Sequence, residues 1–182
     1  MRVIAGKARS LRLKTPEGTD TRPTTDRIKE TLFNMLQPYL CDAVFVDLFS
    51  GSGGIGIEAL SRGAKHAYFV EHEKKAQACI LENLRSTHLA DQATLLKTDV
   101  LSALSGIHER EADIIFMDPP YDCGHEARVL AALRELPWVT ENTLLVIETS
   151  LQTDLSYLEE LGFSLEKEKR YKTNRHLFCR KK

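Results

Sequence analysis

The chain has 182 residues, of which 42% are hydrophobic and 28% are charged, and its formal net charge is −1. These values are ordinary for a soluble globular protein of one domain, and no apolar run approaches the roughly 20 residues that span a bilayer, which excludes a membrane-spanning protein. The N-terminus carries basic side chains but no apolar segment of the kind found in signal peptides. A cytoplasmic protein is therefore expected, with an amphipathic import sequence as the alternative.

Basic residues are concentrated at the two ends of the chain. Residues 1–30 carry eight Lys or Arg and four Asp or Glu, a net charge of +4, while residues 165–182 carry eight and two, a net charge of +6. The segment between these ends has a net charge of −11. If both ends fold onto one face, they form a patch for RNA or another polyanion, because phosphate contacts dominate nucleic-acid affinity.

Neither the four cysteines nor the six histidines have the spacing of a metal site, so no bound metal is expected. The cysteines are far apart in the chain, which predicts reduced thiols that mostly pack in the core. A monomer is expected as well, since the sequence has no apparent coiled coil and no spare apolar strip.

In chain order, the first predicted elements form an N-terminal extension over residues 1–40. Residues 2–16 alternate apolar and polar side chains, which predicts a short hairpin. After a turn-rich link, residues 25–40 place apolar side chains at helical spacing, with Thr24 or Thr25 as the N-cap.

The remaining residues, 41–182, are predicted to form the main domain. Continuous apolar strands separated by helices predict a mostly parallel sheet covered on both faces, and the last two strands alternate like an antiparallel pair. The fold class is therefore α/β, Rossmann-like and doubly wound. The predicted strands span residues 43–49, 66–73, 93–100, 112–118, 142–148, 163–171 and 175–182, and the predicted helices span 54–63, 74–89 and 154–162.

A glycine-rich turn joins the first of these strands to its helix. The stretch "VDLFSGSGGIG" has the spacing Gly51-x-Gly53-x-x-Gly56 between a strand and a helix, which is the context of a dinucleotide fingerprint. Glu71 ends the next strand, where a carboxylate can accept hydrogen bonds from ribose hydroxyls. The pattern predicts a site for a cofactor that contains a nucleoside.

Acidic residues near this turn favour one cofactor over another. Asp47 precedes the turn, where its carboxylate can reach the ammonium group of S-adenosylmethionine (SAM) but would repel the pyrophosphate of NAD. Asp99 follows the third strand, where it fits the adenine amino group. Three acids at the same ends of successive strands lie at the edge where such sheets bind ligands. The predicted SAM site comprises Asp47, Phe49, Ser50, Gly51, Gly53, Glu71 and Asp99.

The fourth strand ends in the tetrapeptide "DPPY", which runs from Asp118 to Tyr121 and includes Pro119 and Pro120. Prolines stiffen the backbone, so a carboxylate and a carbonyl here can hold the exocyclic amine of a nucleobase in line with a sulfonium methyl group. Tyr121 can stack on the base, which must be unpaired or flipped out to enter. We interpret these four residues as the catalytic loop.

Four stretches of the sequence carry a family resemblance: "RVIAGKARSLRLKTP", "RPTTDRIKETLFNML", "DLFSGSGGIGIEALSRGA" and "DPPY". They resemble the RsmD-type methyltransferases, which methylate N2 of guanine 966 in bacterial 16S ribosomal RNA. The resemblance implies a class I methyltransferase fold with a seven-stranded sheet, one antiparallel strand and an N-terminal extension that helps to bind RNA. It also implies SAM as the cofactor and 16S ribosomal RNA in a small-subunit assembly particle as the partner.

The residues that contact RNA are less sharply defined by the sequence. Arg9, Arg12, Arg22 and Arg27 of the extension are the candidates. A DNA adenine-N6 or protein-glutamine methyltransferase also presents an amine to such a loop, and a non-catalytic ribosome-assembly binder could share the fold. An NAD dehydrogenase is the remaining alternative, but no catalytic His or Tyr/Lys pair is placed to support it.

Overall fold

The computed structural model describes residues 1–16, 25–120 and 125–182. Arg22 and Tyr121, two of the predicted site residues, lie outside these ranges. The helices are α1 (Asp26–Leu36), α2 (Gly54–Ser61), α3 (Lys74–Ser86), α4 (Val100–Ala103), α5 (His125–Arg134) and α6 (Tyr157–Glu160). The strands are β1 (Val44–Asp47), β2 (His66–Val70), β3 (Ala93–Leu96), β4 (Ile114–Met117), β5 (Leu144–Ser150), β6 (Phe163–Arg170) and β7 (Asn174–Lys181).

The seven strands form one mixed sheet in the order β3-β2-β1-β4-β5-β7-β6. Strands β1 to β5 pair in parallel, and β7 is antiparallel to both of its neighbours, β5 and β6. The predicted α/β sheet of seven strands with one antiparallel strand is therefore confirmed. The order reverses direction at β1 and β4, so the carboxyl ends of these two strands flank the point where ligands bind in open α/β sheets.

Apolar side chains cover both faces of the sheet. On what we call the first face, α1, α2 and α3 pack against side chains such as Phe45, Phe116 and Phe178. On the second face, α4, α5 and α6 pack against side chains such as Ile147 and Leu177. Side chains alternate between the two faces along each strand. The core residues named above therefore show which face any other residue of the same strand occupies. Over the described ranges, no helix combines the length and the apolar character needed to cross a bilayer.

The N-terminal segment packs on the first face as an irregular hairpin. Antiparallel hydrogen bonds join its two arms around a single bridge between Arg2 and Arg12. The turn of this hairpin is bonded to α2: the N–H of Lys7 donates to the carbonyl of Ser61 at 2.8 Å. Gly6 has φ +82°, and a Cβ there would lie 1.8 Å from that same carbonyl oxygen, so only glycine fits.

A buried ion pair anchors this segment to two helices. Lys29 of α1 and Glu58 of α2 lie 3.3 Å apart with fully buried side chains. The Glu58 carboxylate also accepts the backbone N–H groups of Ile4 and Ala5, at 2.8 and 3.0 Å, and Nε of Arg62 at 2.8 Å. Burial lowers the pKa of Lys29, while the charge of Glu58 opposes that shift. Glu58 therefore joins the N-terminal segment to both helices.

The predicted starts of α1 and α2 agree with the structure, but both helices end earlier than predicted, at Leu36 and Ser61. Thr25 caps α1, since its hydroxyl accepts the N–H of Ile28 at 3.4 Å. Gly63 follows the end of α2 with φ +112°, a conformation that favours glycine after a helix. Two helices, α4 and α5, were not predicted from the sequence.

The predicted third strand, 93–100, is too long, because β3 ends at Leu96 and Val100 begins α4. Likewise, the predicted helix over 154–162 is only the four residues of α6.

Candidate active site

The glycine-rich turn between β1 and α2 has the backbone geometry that its sequence predicts. Gly51 and Gly53 have φ of +53° and +82°, which favours glycine at both positions. The N–H of Ser50 donates to the Val70 carbonyl at 3.0 Å, which ties the turn to the end of β2. A Cβ built at Gly51 meets no heavy atom within 4 Å, so the turn leaves open space on that side.

Two further glycines allow close packing beneath the turn. A Cβ at Gly56 would lie 2.4 Å from Cε1 of Phe69, so glycine lets α2 approach β2 closely. A Cβ at Gly54 would lie 2.2 Å from Sδ of Met1. The N-terminus of the chain therefore lies directly against the start of α2.

Asp47 lies at the carboxyl end of β1 with only 1% of its surface exposed. Its Oδ2 accepts the N–H of Gly56 at 3.1 Å, while Oδ1 is buried and has no hydrogen-bond partner within the described part of the chain. Burial raises the pKa of Asp47 to about 7; the hydrogen bond from Gly56 opposes the shift and the charge of Glu71 adds to it. The site thus holds a carboxyl group that a nearby cation would ionise.

Glu71 follows β2 and stabilises the turn through its carboxylate. Oε2 accepts the N–H of Gly51 at 2.8 Å, and Oε1 accepts the N–H of Glu73 at 2.8 Å. Each oxygen of an ionised carboxylate has a second lone pair, so both can still accept a hydroxyl. The role of Glu71 in ribose binding stays a prediction.

Asp99 and Phe49 lie at the edges of the predicted cofactor site. Asp99 is exposed and caps α4, with Oδ1 accepting the N–H of Ser102 at 3.1 Å. Hydrogen bonds from Ser102 lower the pKa of Asp99, so it stays ionised at neutral pH. Phe49 is partly buried and packs against the core of the second face. The predicted contact of Asp99 with adenine also stays a prediction.

The predicted catalytic loop begins where β4 ends. Asp118 is half-buried, Pro119 is buried and Pro120 is exposed. Burial raises the pKa of Asp118 well above its usual value, and the charges of Glu148 and Asp47 raise it further. Both carboxylates are therefore close enough to Asp118 to act on it. The structure brings Asp118 to the same edge of the sheet as Asp47 and the glycine turn.

Two sets of polar residues near this edge were missed by the sequence analysis. In the first, His176 and Asn174 contact Glu148, the acid at the end of the predicted fifth strand. In the second, Asn83 of α3 accepts the N–H of Lys14 at 2.8 Å and donates to the Ser52 carbonyl at 2.9 Å. The alternation in "RHLFCRKK" places His176 on the same face as Phe178. It was the only feature of the sequence that could have pointed to His176 as a residue of the site.

Among the predicted RNA-binding residues, Arg9, Arg12 and Arg27 are exposed. A cleft of about 490 Å³ lies between the hairpin and the start of α1. Arg12 lines it, and Arg2, which forms an ion pair with Asp26 at 2.8 Å, lines it as well. Within the described ranges, no group of three His, Cys, Asp or Glu side chains could hold a metal ion.

Known proteins resemble the chain over nearly all of its length. The family described as "Conserved hypothetical protein 95" matches residues 1–180. The "Putative rRNA methyltransferase YlbH" of Bacillus subtilis is 40% identical over 157 residues, 85% of each chain. "Ribosomal RNA small subunit methyltransferase D" of Escherichia coli K12 is 34% identical over 169 residues, which is 93% of this chain and 84% of that protein.

Solved structures agree with these matches. The structure of the "Putative methyltransferase yhhF" from Escherichia coli superposes with a TM-score of 0.84 at 30% identity, covering 100% of this chain and 98% of that one. A putative methylase from Haemophilus influenzae gives a TM-score of 0.81 at 31% identity, covering 99% and 97%. The chain therefore belongs to the "Conserved hypothetical protein 95" family, the RsmD-type methyltransferases that its motifs resemble.

Proposed function

We propose that the chain transfers a methyl group from SAM to the exocyclic N2 amine of one guanine in 16S ribosomal RNA. The position of Asp118 carries the proposal, because this carboxylate lies at the end of β4 within electrostatic range of Asp47 and beside the glycine turn. The names of the relatives, which describe ribosomal RNA methyltransferases, support RNA as the substrate class. Guanine 966, the small-subunit assembly particle, the monomeric state and the cytoplasm belong to the proposal through the family resemblance.

The residues around the turn fit SAM on the chemistry of their donors and acceptors. The unpartnered Oδ1 of Asp47 can accept a hydrogen bond from the ammonium group, directly or through water. Glu71 is proposed to accept hydrogen bonds from the ribose hydroxyls and Asp99 one from the adenine amine, and the open side of Gly51 leaves room for the ligand. When bound, SAM supplies a methyl group activated by its sulfonium charge.

Asp118 is proposed to position the amine of the substrate. The lone pair of an exocyclic base amine is delocalised into the ring, so the amine is a poor nucleophile. A carboxylate that accepts a hydrogen bond from the N–H favours the localised lone pair and holds the nitrogen in place. Pro119 and Pro120 restrict the backbone that carries this carboxylate, and Tyr121, outside the described residues, is proposed to stack on the base.

We propose that residues 1–40 form the RNA-binding extension and residues 41–182 the methyltransferase domain. The exposed side chains of Arg9, Arg12 and Arg27 project from the extension, and Arg22 is proposed to join them. Lys167 and Lys169 of β6 pair with Phe178 and His176, so they project from the first face as well. Positive charge from both ends of the chain therefore lies on one side of the sheet, as a phosphate-binding surface requires.

The product of methyl transfer tests the proposed function. The protein is incubated with SAM labelled in its methyl group and with 16S RNA as naked transcript, as a protein-bound assembly intermediate and as the finished 30S subunit. Nuclease digestion followed by mass analysis is expected to yield N2-methylguanosine from at least one of these substrates. N6-methyladenosine or methylglutamine would identify one of the alternative methyltransferases, and no transfer together with no SAM binding would indicate a non-catalytic binder.

The affinity for SAM is expected to rise with pH between about 5.5 and 7.5. The free protein holds a proton on Asp47 below its pKa of about 7, and this proton must leave before the carboxylate can bind a cation. Below that pKa, each pH unit therefore changes the dissociation constant by up to about tenfold, and the change levels off above it.

Calorimetry in two buffers of different ionisation enthalpy would measure both the affinity and the released proton. Asp47→Asn is the matched control, because it removes the titration while its amide oxygen can still accept the N–H of Gly56. A wild-type affinity that stays constant across this pH range would contradict the proposed role of Asp47.

A further inference from the structure

A row of ionisable side chains crosses three strands beside the candidate catalytic loop. Phe116, Val146 and Phe178 all belong to the core of the first face, and the strand register pairs Phe116 with Val146 and Val146 with Phe178. Since side chains alternate along a strand, the residues two positions nearer the carboxyl edge share that face. These residues are Asp118 after β4, Glu148 on β5 and His176 on β7, and the register pairs Glu148 with His176.

Hydrogen bonds hold Glu148 and His176, the two residues of this row that follow Asp118, in place. His176 is fully buried, and its Nε2 lies 2.8 Å from Oε2 of Glu148, which is 6% exposed. The hydroxyl of Tyr171 lies 3.2 Å from Nδ1 of the same ring, and the amide of Asn174 donates to Oε1 of Glu148. A doubly protonated ring fits both contacts, with Nε2–H donating to the carboxylate and Nδ1–H donating to the Tyr171 oxygen, and so does a neutral ring whose Nδ1 accepts the Tyr171 O–H.

Several charged side chains lie on the first face around Asp118 and His176. Asp47, Asp118 and Glu148 are three carboxyl groups at one edge of the first face. From the helices, Lys29 and Arg62 each form an ion pair with Glu58, and Lys169 of β6 lies opposite His176. His176 contacts Glu148 through this hydrogen bond, and in its protonated form the ring would be a cation that offsets the repulsion between Glu148 and Asp118.

We propose that Glu148 and His176 are positioning residues that act through Asp118 during methyl transfer. The inference rests on the proposed function. As the N–C bond forms and the S–C bond breaks, the bonding electron pair goes to sulfur and the amine nitrogen becomes cationic. Its proton passes to the Asp118 carboxylate and then to water. The negative charge of Glu148 makes Asp118 a stronger acceptor for that proton, and His176 limits the repulsion between the two carboxylates.

The pH dependence of kcat separates this role from a purely structural one. Turnover requires ionised Asp118, so kcat falls on the acid side of the pH profile. Glu148→Gln removes a negative charge, so we expect that acid limb to move to lower pH and kcat on the plateau to fall at least ~10-fold. The proposal requires His176 to be protonated, so His176→Gln removes a positive charge. Asp118 then keeps its proton to higher pH, and the acid limb should move to higher pH.

Controls keep the inference distinct from the proposed function. Glu166→Gln, at an exposed acid on the neighbouring strand β6, should leave the profile unchanged. SAM affinity by calorimetry and the thermal midpoint confirm that each variant is folded. In one outcome, the wild type transfers methyl groups while the acid limbs of the Glu148→Gln and His176→Gln profiles fail to move in opposite directions. That result overturns the inference and leaves the proposed function standing. If the wild type transfers none, the proposed function itself fails.

Discussion

Replacing Asp118 by alanine is expected to lower the rate of methyl transfer by at least ~10²–10³-fold, the loss found when a group that stabilises a transition state is removed. The dissociation constant of SAM should change little, since the turn that holds SAM in our proposal is bonded to β2 and α3 and not to Asp118. Methyl transfer to RNA, measured under single-turnover conditions, and calorimetry with SAM would test the two halves of this expectation.

The reason for so large an effect is that Asp118 combines two properties. Its carboxylate lies on a backbone restricted by Pro119 and Pro120, so little conformational freedom is lost when the amine binds. Its raised pKa makes it a better acceptor than an exposed aspartate. Alanine removes both contributions, whereas Asp118→Asn keeps an acceptor oxygen and removes the charge. We therefore expect the asparagine variant to retain more activity than the alanine variant.

A matched control flanks the other end of β4. Asp113 precedes β4 at the opposite edge of the sheet, where its Oδ2 accepts the N–H of Val44 at 2.8 Å. Asp113→Asn keeps that acceptor and should leave both the rate and the SAM affinity near the wild-type values. Wild-type activity in Asp118→Ala would mean that this carboxylate does not position the amine, and an equal loss in Asp113→Asn would point to a general effect on the sheet.

Local patterns in the sequence were sufficient to predict the sheet and the glycine-rich turn. Continuous apolar runs marked the strands, and the spacing of Gly51 and Gly53 marked the turn, whose positive φ values are now observed. The pattern was weaker for α5, although Val129, Leu130 and Leu133 do have helical spacing and are buried. No Ser, Thr, Asp or Asn immediately precedes that helix to mark its start.

The contacts of the candidate site could not be predicted because they depend on long-range register. Glu148 and His176 are 28 residues apart and meet only because β7 is inserted antiparallel between β5 and β6. Charged side chains such as Lys29 and Glu58 suggest a solvated surface when only the sequence is known, since most such residues are exposed. Their burial follows from the way that the N-terminal segment covers α1 and α2, which no local pattern encodes.

Glu58→Ala is expected to lower the free energy of unfolding by about 3–5 kcal/mol, the typical cost of breaking a buried ion pair from one side. The variant leaves Lys29 buried without its carboxylate, together with the N–H groups of Ile4 and Ala5. Chemical denaturation at pH 7 measures the loss. Glu82→Ala is the control, because Glu82 pairs with Lys14 on the surface and should cost less than about 1 kcal/mol.

The pH dependence of this variant has a definite sign. Burial lowers the pKa of Lys29 in the folded protein, so the unfolded chain holds the proton to higher pH and stability rises as pH rises through the interval between the two pKa values. Without Glu58 the folded-state pKa is lower still, which widens that interval. The difference in stability between wild type and Glu58→Ala should therefore be larger below neutral pH than near pH 9.

The double variant Lys29→Met, Glu58→Leu separates the buried charge from the anchoring of the segment. It removes both charges, so we expect it to recover part of the stability lost in Glu58→Ala, while the amides of Ile4 and Ala5 still lack their acceptor. Hydrogen exchange at those amides should be fast in both variants. A double variant no more stable than Glu58→Ala would show that the uncompensated lysine is not the main cost. If the double variant binds SAM like the wild type but methylates RNA poorly, the ordered N-terminal segment serves RNA binding directly.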